Sequence, residues 1–227
     1  MNELHRQPEI TDIKKPDVEN FKAIKPESDI TVKDARSYFD GLFEEMQEQK
    51  DGFYTDYDNR MKRTNMDTDG WEDKRGESKF TPSSETETGL AAKEKLAEYG
   101  KDGIEYMKCE PDFSQCAEAT VNIDNMTENR VNYIDADGKL QQGNFSQADI
   151  KCAEIWSESE KDGKSDWTPR DVQEWRQEKG FTWHERCDTL TMDLVPQEIH
   201  GYFQHSGGVA ECKARDNSIG GGFDEQV

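Results

Sequence analysis

The stretch whose reading decides the fold is FTWHERCDTLTMDLVPQEIHGYFQHSGG, residues 181–208. Three of the chain's four histidines, His184, His200 and His205, fall within it. Neutral imidazole is the commonest side-chain metal ligand and a usual general base near neutral pH, so this clustering marks a candidate site. Thr182 and Trp183 favour a pleated surface, and residues 181–186 read as a short strand. Residues 187–189 suit a turn. Residues 191–195, TMDLV, alternate polar and apolar side chains as a half-buried strand does. Pro196 sits where a helix tolerates a missing N–H, Ile199, Tyr202 and Phe203 recur at helical spacing over 197–205, and Ser206-Gly207-Gly208 reads as the stop. The predicted unit is strand, turn, strand, helix, and it aims His184 of the hairpin at His200 of the helix.

Moving outward, Thr168-Pro169-Arg170-Asp171 is a strong helix start, with a cap, a proline in the first turn and an acid at the third position. That helix ends at Gly180 and feeds the hairpin. A further helix is predicted from Ser146 and Asp149 to about Glu160, burying Ala148, Cys152, Ile155 and Trp156. Residues 104–107 and 117–123 read as strands, 111–114 as a turn, and 126–134 as a short helix. Ser84 with Glu87 resembles a capping box ahead of a helix over 86–99. On the far side, Val209 to Lys213 reads as a last strand or as a segment packed by the site, and residues 217–227 as a frayed tail.

Nearer the start, Thr31 with Asp34 opens a predicted helix to about Lys50, with Ala35, Phe39, Leu42 and Met46 on one stripe. Residues 1–30 contain Pro8, Pro16 and Pro26 among alternating charges and read as a flexible segment. Residues 53–70 set Arg60, Lys62 and Arg63 beside Phe53, Tyr54, Tyr57 and Met61. A short amphipathic helix with a basic face accounts for them; charge mixed with aromatics also suits nucleic acid. The expected organisation is a flexible segment 1–30, a helical extension 31–65, a domain over 66–216 and a tail over 217–227.

The net charge is −21, which argues against non-specific nucleic-acid affinity, since that comes mainly from Lys and Arg. Residues 181–216 hold three basic against six acidic residues, so most of the acidity lies elsewhere. The acidic surface suits either limiting stray binding or matching a basic protein partner. Five cysteines, an odd number with no CxxC pair, read as buried, reduced thiols. There is no apolar run of signal-peptide or membrane-spanning length, so the expectation is a chain that does not engage a membrane and is cytoplasmic unless exported by another route.

Trp183-His184-Glu185, then Leu194-Val195-Pro196, Ile199-His200 and His205-Ser206-Gly207-Gly208, resemble the WHH-type branch of the HNH/endonuclease VII nucleases, found as toxin domains of bacterial polymorphic toxins. Arg75-Gly76-Glu77-Ser78, Pro111-Asp112-Phe113-Ser114 and Trp175-Arg176 resemble further pieces of such toxins. The resemblance implies an α+β fold, mostly helical, with a C-terminal ββα-metal core of the treble-clef kind over 181–208. It implies hydrolysis of phosphodiester bonds, DNA as substrate, an antibacterial role and an immunity protein as partner. It implies one divalent cation, Mg²⁺, Mn²⁺, Zn²⁺ or Ni²⁺, held by His184, His200 and His205, with His184 or Glu185 as general base. Arg75, Lys79 and Arg186 are the expected substrate contacts.

Two points of spacing bear on these roles. Adjacent strand residues face opposite sides unless a bulge intervenes, so one of His184 and Glu185 points at the metal, and His184 is the choice. His200 and His205 are five apart, so His205 belongs in an unwinding last turn. The alternative is a non-catalytic, acidic protein-interaction module in which a structural metal site, closed by Glu185 or Cys187, staples the hairpin to the helix.

Overall fold

A computed structural model describes residues 52–220, which lie in one compact unit, Asp51–Val227. The flexible segment expected over 1–30, the predicted helix over 31–50 and residues 221–227 of the expected tail lie outside the described residues. The fold is α+β.

The described chain begins with helix α1 (Tyr57–Met61), whose N-cap Asp56 accepts a hydrogen bond from the Asn59 amide. Strand β1 (Lys79–Phe80) leads to helix α2 (Glu87–Glu98), capped by Thr86. The Thr86 hydroxyl accepts from the Gly89 amide, so the cap falls two residues after the Ser84 expected from sequence. Strands β2 (Ile104–Met107) and β3 (Glu110–Pro111) pair with each other and, through β2, with β1, in a three-stranded antiparallel sheet. A 3₁₀ turn, Phe113–Cys116, precedes strand β4 (Ala119–Asn122).

The helix expected over 126–134 does not form. Those residues are a loop running into a small hairpin, β5 (Tyr133–Ile134) and β6 (Leu140–Gln141). Its turn is fixed by Asp135, whose carboxylate accepts from the amides of Asp137 and Lys139, and the loop before it is tied to residues 144 and 145, whose amides donate to the Asn129 and Arg130 carbonyls that a helix would use. Helix α3 (Asn144–Glu158) follows, starting two residues before the expected Ser146. Ile155, expected in the core, is 45 % exposed because the helix turns Ala148, Cys152 and Trp156 inward instead. Helix α4 (Pro169–Glu178) starts on the full Thr168–Asp171 capping box read from sequence.

Strands β7 (Phe181–Glu185) and β8 (Thr191–Pro196) form the central hairpin, and β4 joins the other edge of β8 in the order β4-β8-β7. Helix α5 (Gln197–Tyr202) leaves directly from Pro196, completing a ββα unit. The last described helix, α6 (Gly208–Gly220), takes up residues 209–213, which form no strand but do pack by the site, with Val209, Ala210 and Lys213 on its wall, and extends into the expected tail. Its buried residues, Gly208, Glu211 and Cys212, recur at i, i+3 and i+4, the spacing of one helix face.

Two apolar clusters hold the unit together. One packs Trp183, Met192 and Leu194 of the hairpin against Val121, Ala148, Cys152, Trp156 and Val172. The other packs Val195, Ile199 and Phe203 against Trp71, Phe80, Leu96, Ile104, Tyr106 and Phe113. The hairpin is therefore clamped on both faces, with His184 on the side of Phe113 and Trp183 on the side of α3. All five cysteines are free and buried. Among the described residues no helix is long and apolar enough to cross a membrane.

Candidate metal centre

Three elements bring the histidines together. His184 comes from β7 and is 1 % exposed. His200 comes from α5. The helix then ends earlier than the sequence suggested, because Phe203 leaves helical geometry to fill the apolar cluster beneath. His205 therefore stands in the loop after α5 rather than in a last helical turn, which removes the difficulty of a five-residue spacing. The ring centroids of His184 and His205 are 4.8 Å apart, and His200 is 5.5 Å from each. Phe113 packs against all three rings from below.

Ligand atoms of the three residues lie within 4.8 Å of one another. Nδ1 of His205 is 2.8 Å from the Phe203 carbonyl, which only accepts, so this nitrogen carries the proton and donates. Nε2 of His205 is left with its lone pair, 3.2 Å from Nδ1 of His184. A ring fixed through one N–H to a backbone carbonyl while its other nitrogen stays open is the usual posture of a metal-bound histidine. Nε2 of His184 is buried without a hydrogen-bond partner. Burial, chiefly, depresses the basicity of all three: His184 far below the usual histidine range, His200 to about 3 and His205 to about 4. Three neutral imidazoles converging in one pocket fit a divalent cation.

Glu185, the next residue on β7, takes the other side of the strand end. Its buried carboxylate accepts from Nε of Arg130 at 3.1 and 3.2 Å and from Nδ2 of Asn144 at 3.3 Å. Asn144, in turn, is locked to Thr127 by two hydrogen bonds. Burial raises the Glu185 carboxyl above its usual range, and Arg130 pulls it back down. The strand-alternation argument thus separates the two residues: His184 joins the imidazole cluster, and Glu185 is held beside it. Gly208 is required where α6 meets the end of β7, since a Cβ there would lie 2.5 Å from both the Arg186 carbonyl oxygen and the Met126 sulfur.

The three rings and Glu185 line a cleft of about 630 Å³. Its wall also carries Lys62 and Arg63, from the basic island whose composition also suited nucleic acid, and Arg130 and Lys213, which the sequence did not single out. The three residues that were singled out are absent from this wall. Arg75 ties a loop, donating to the Thr64 hydroxyl and to the carbonyls of Met61 and Thr64. Lys79 pairs with Glu72 and Asp102. Arg186 makes two bonds to the buried carboxylate of Asp193, at 2.6 and 2.9 Å. Each spends its charge on a neighbouring acid or backbone group. For Arg130 the only sequence signal was a lone basic residue in a stretch read as helix.

Residues 103–207 match the family described as the DNase/tRNase domain of colicin-like bacteriocin. The match supports a nuclease toxin domain. It spans all three histidines, Glu185 and Arg130, and it stops at the glycine before α6. No curated protein matches the chain, and no solved structure does.

Proposed function

We propose that this chain is a metal-dependent endonuclease of HNH type that hydrolyses phosphodiester bonds in DNA. It acts as an antibacterial toxin, is delivered into target bacteria, and is neutralised by an immunity protein. The observation that carries the reading is the convergence of three neutral imidazoles on one point of a cleft whose rim is basic, in a chain of net charge −21.

His184, His200 and His205 hold one divalent cation, and the imidazole-rich donor set favours the later ions of the Mg²⁺, Mn²⁺, Zn²⁺ and Ni²⁺ group. When bound, that ion supplies positive charge against the phosphoryl and leaving oxygens. With His184 and His205 turned toward each other, Nδ1 to Nε2 at 3.2 Å, Glu185 is the base beside the site. Its carboxylate receives the proton of the attacking water, while Arg130 and Asn144 fix the direction of its lone pairs. Arg130 is more than half exposed and bonds Glu185 through Nε, so its other N–H groups are available to phosphate oxygen. Phe113 shields the rings from below and keeps them neutral.

The test is plasmid nicking by purified protein with and without divalent metal, alongside His184→Ala. The reading predicts cleavage only with metal, abolished in a variant that still folds. A metal-loaded protein that cuts neither DNA nor RNA, yet melts lower on chelation, would instead be a stapled interaction module.

A further inference from the structure

We propose that Lys62 and Arg63 form a subsite for the phosphates of duplex DNA flanking the bond to be cut. The proposal rests on the nuclease reading above and assigns a function to the basic island of residues 60–63. Both side chains are exposed and line the cleft that holds the three histidines. The other cations of that wall each face an acid: Arg130 bonds Glu185 through Nε, which places its remaining N–H groups at the catalytic end of the cleft, and Lys213 lies 3.7 Å from Glu128. Among the described residues the Lys62 ammonium bonds only the neutral Asn59 amide oxygen, at 3.2 Å, and Arg63 has no ion pair.

The arm that carries them is built in, which an incidental surface charge does not require. Upstream, the buried carboxylate of Glu211 on α6 accepts from the amides of Tyr54 and Thr55 and from the Thr55 hydroxyl. Arg60, fully buried, donates to the carbonyls of Lys108 and Thr55 and lies 4.1 Å from the Phe53 ring centroid. Downstream, the buried Asn65 accepts from the Gln204 amide and donates to the Tyr202 carbonyl, on the loop that carries His205. Lys62 and Arg63 sit between these anchors. Burying a carboxylate and a guanidinium is costly unless each is well bonded, and here both fix where the next two cations point. The aromatics Phe53 and Tyr57 stack on Arg60 and so serve the anchor, not the bases of DNA. The substrate chemistry implied is the polyanionic backbone, read through charge and without sequence preference.

The experiment uses the full-length chain and a fluorescent duplex oligonucleotide, with anisotropy measured in chelator across a salt series and plasmid cleavage measured with metal. K62Q/R63Q is compared with wild type, with K93Q/K179Q as a charge-matched control away from the cleft, and with K62R/R63K as the rescue. Each lost phosphate contact lowers the slope of log affinity against log salt by about 0.9, so the double variant lowers it by about 1.8. KM rises by about tenfold or more while kcat stays within about threefold, metal affinity is unchanged, and K62R/R63K restores the slope. The proposal is overturned if slope and KM match those of wild type, if K93Q/K179Q shows the same loss, or if wild type does not bind the duplex. A wild type that binds, loses its slope in K62Q/R63Q, and never cleaves would support the subsite while removing the nuclease assignment beneath it.

Discussion

Asp149→Ala is the most informative single perturbation away from the cleft. The Asp149 carboxylate is 4 % exposed and accepts three hydrogen bonds: Nε and Nη2 of Arg176 at 3.0 and 3.1 Å, and the indole N–H of Trp183 at 2.8 Å. Arg176 is itself buried on α4, against the Phe145 ring. The carboxylate thus joins α3, α4 and β7 at the residue next to His184. Removing it strands a buried guanidinium and an indole N–H. Breaking a buried ion pair from one side costs about 3–5 kcal/mol. For a unit of this size each kcal/mol lowers the melting midpoint by about 2–4 °C, so the expected fall is about 6–20 °C. Thermal and urea melts of wild type, Asp149→Ala and the double variant Asp149→Leu/Arg176→Leu measure it. The double variant is expected to lose less than Asp149→Ala, because no charge is left unpaired. A loss under about 1 kcal/mol in Asp149→Ala, or a double variant worse than the single, would refute the reasoning.

Three further expectations are open to direct measurement. In chelator, acidification below pH 6.5 should destabilise the chain. The folded histidines titrate far below 6.5, about 3 for His200 and about 4 for His205, so between those values and 6.5 the unfolded chain binds more protons and stability falls with pH. His200→Ala/His205→Ala should flatten that fall in a thermal melt series, and an equally steep series in the variant would contradict it. Glu185→Gln should lower kcat by about 10²–10⁴ while metal affinity by calorimetry stays within a few-fold; a variant with ordinary kcat would remove Glu185 as the base. Arg75→Ala should lower the melting midpoint by releasing the Met61–Thr64 loop, with KM for DNA unchanged, and Lys79→Ala should leave KM unchanged as well. A raised KM in either would restore them as substrate contacts.

The sequence made the centre of this protein readable because the centre is local. The hairpin, the helix after Pro196 and all three histidines lie within 28 consecutive residues, where period-two alternation and turn chemistry act at short range. The Thr168–Asp171 cap was legible for the same reason. What failed was decided by tertiary contact. Helix α5 stops early because Phe203 is drawn into a cluster whose other members lie as far away as Trp71. Residues 209–213, read as a last strand or a segment packed by the site, do line the cleft but as helix α6, because Glu211 is drawn inward by Tyr54 and Thr55, more than 150 positions away. Asp149 looked like a helix-starting acid and is instead the counter-charge of Arg176. The expected substrate contacts Arg75, Lys79 and Arg186 lie off the cleft wall for the same kind of reason: a motif names an arginine or a lysine, but only the fold shows which acid or carbonyl already holds it. Lys62, Arg63 and Arg130 reach the cleft from segments 54 to 122 positions from His184, a convergence that spacing does not encode.

The central claim is that His184, His200 and His205 jointly hold the cation on which cleavage depends. Metal binding by calorimetry and plasmid nicking, measured on the same samples of wild type, His184→Ala, His200→Ala and His205→Ala across one metal titration, test it most directly. The account predicts one ion per wild-type chain, half-saturation of binding and of cleavage at the same metal concentration, and both lost together in each variant. Cleavage that persists in chelator, or metal binding that survives unchanged in all three variants, would contradict it.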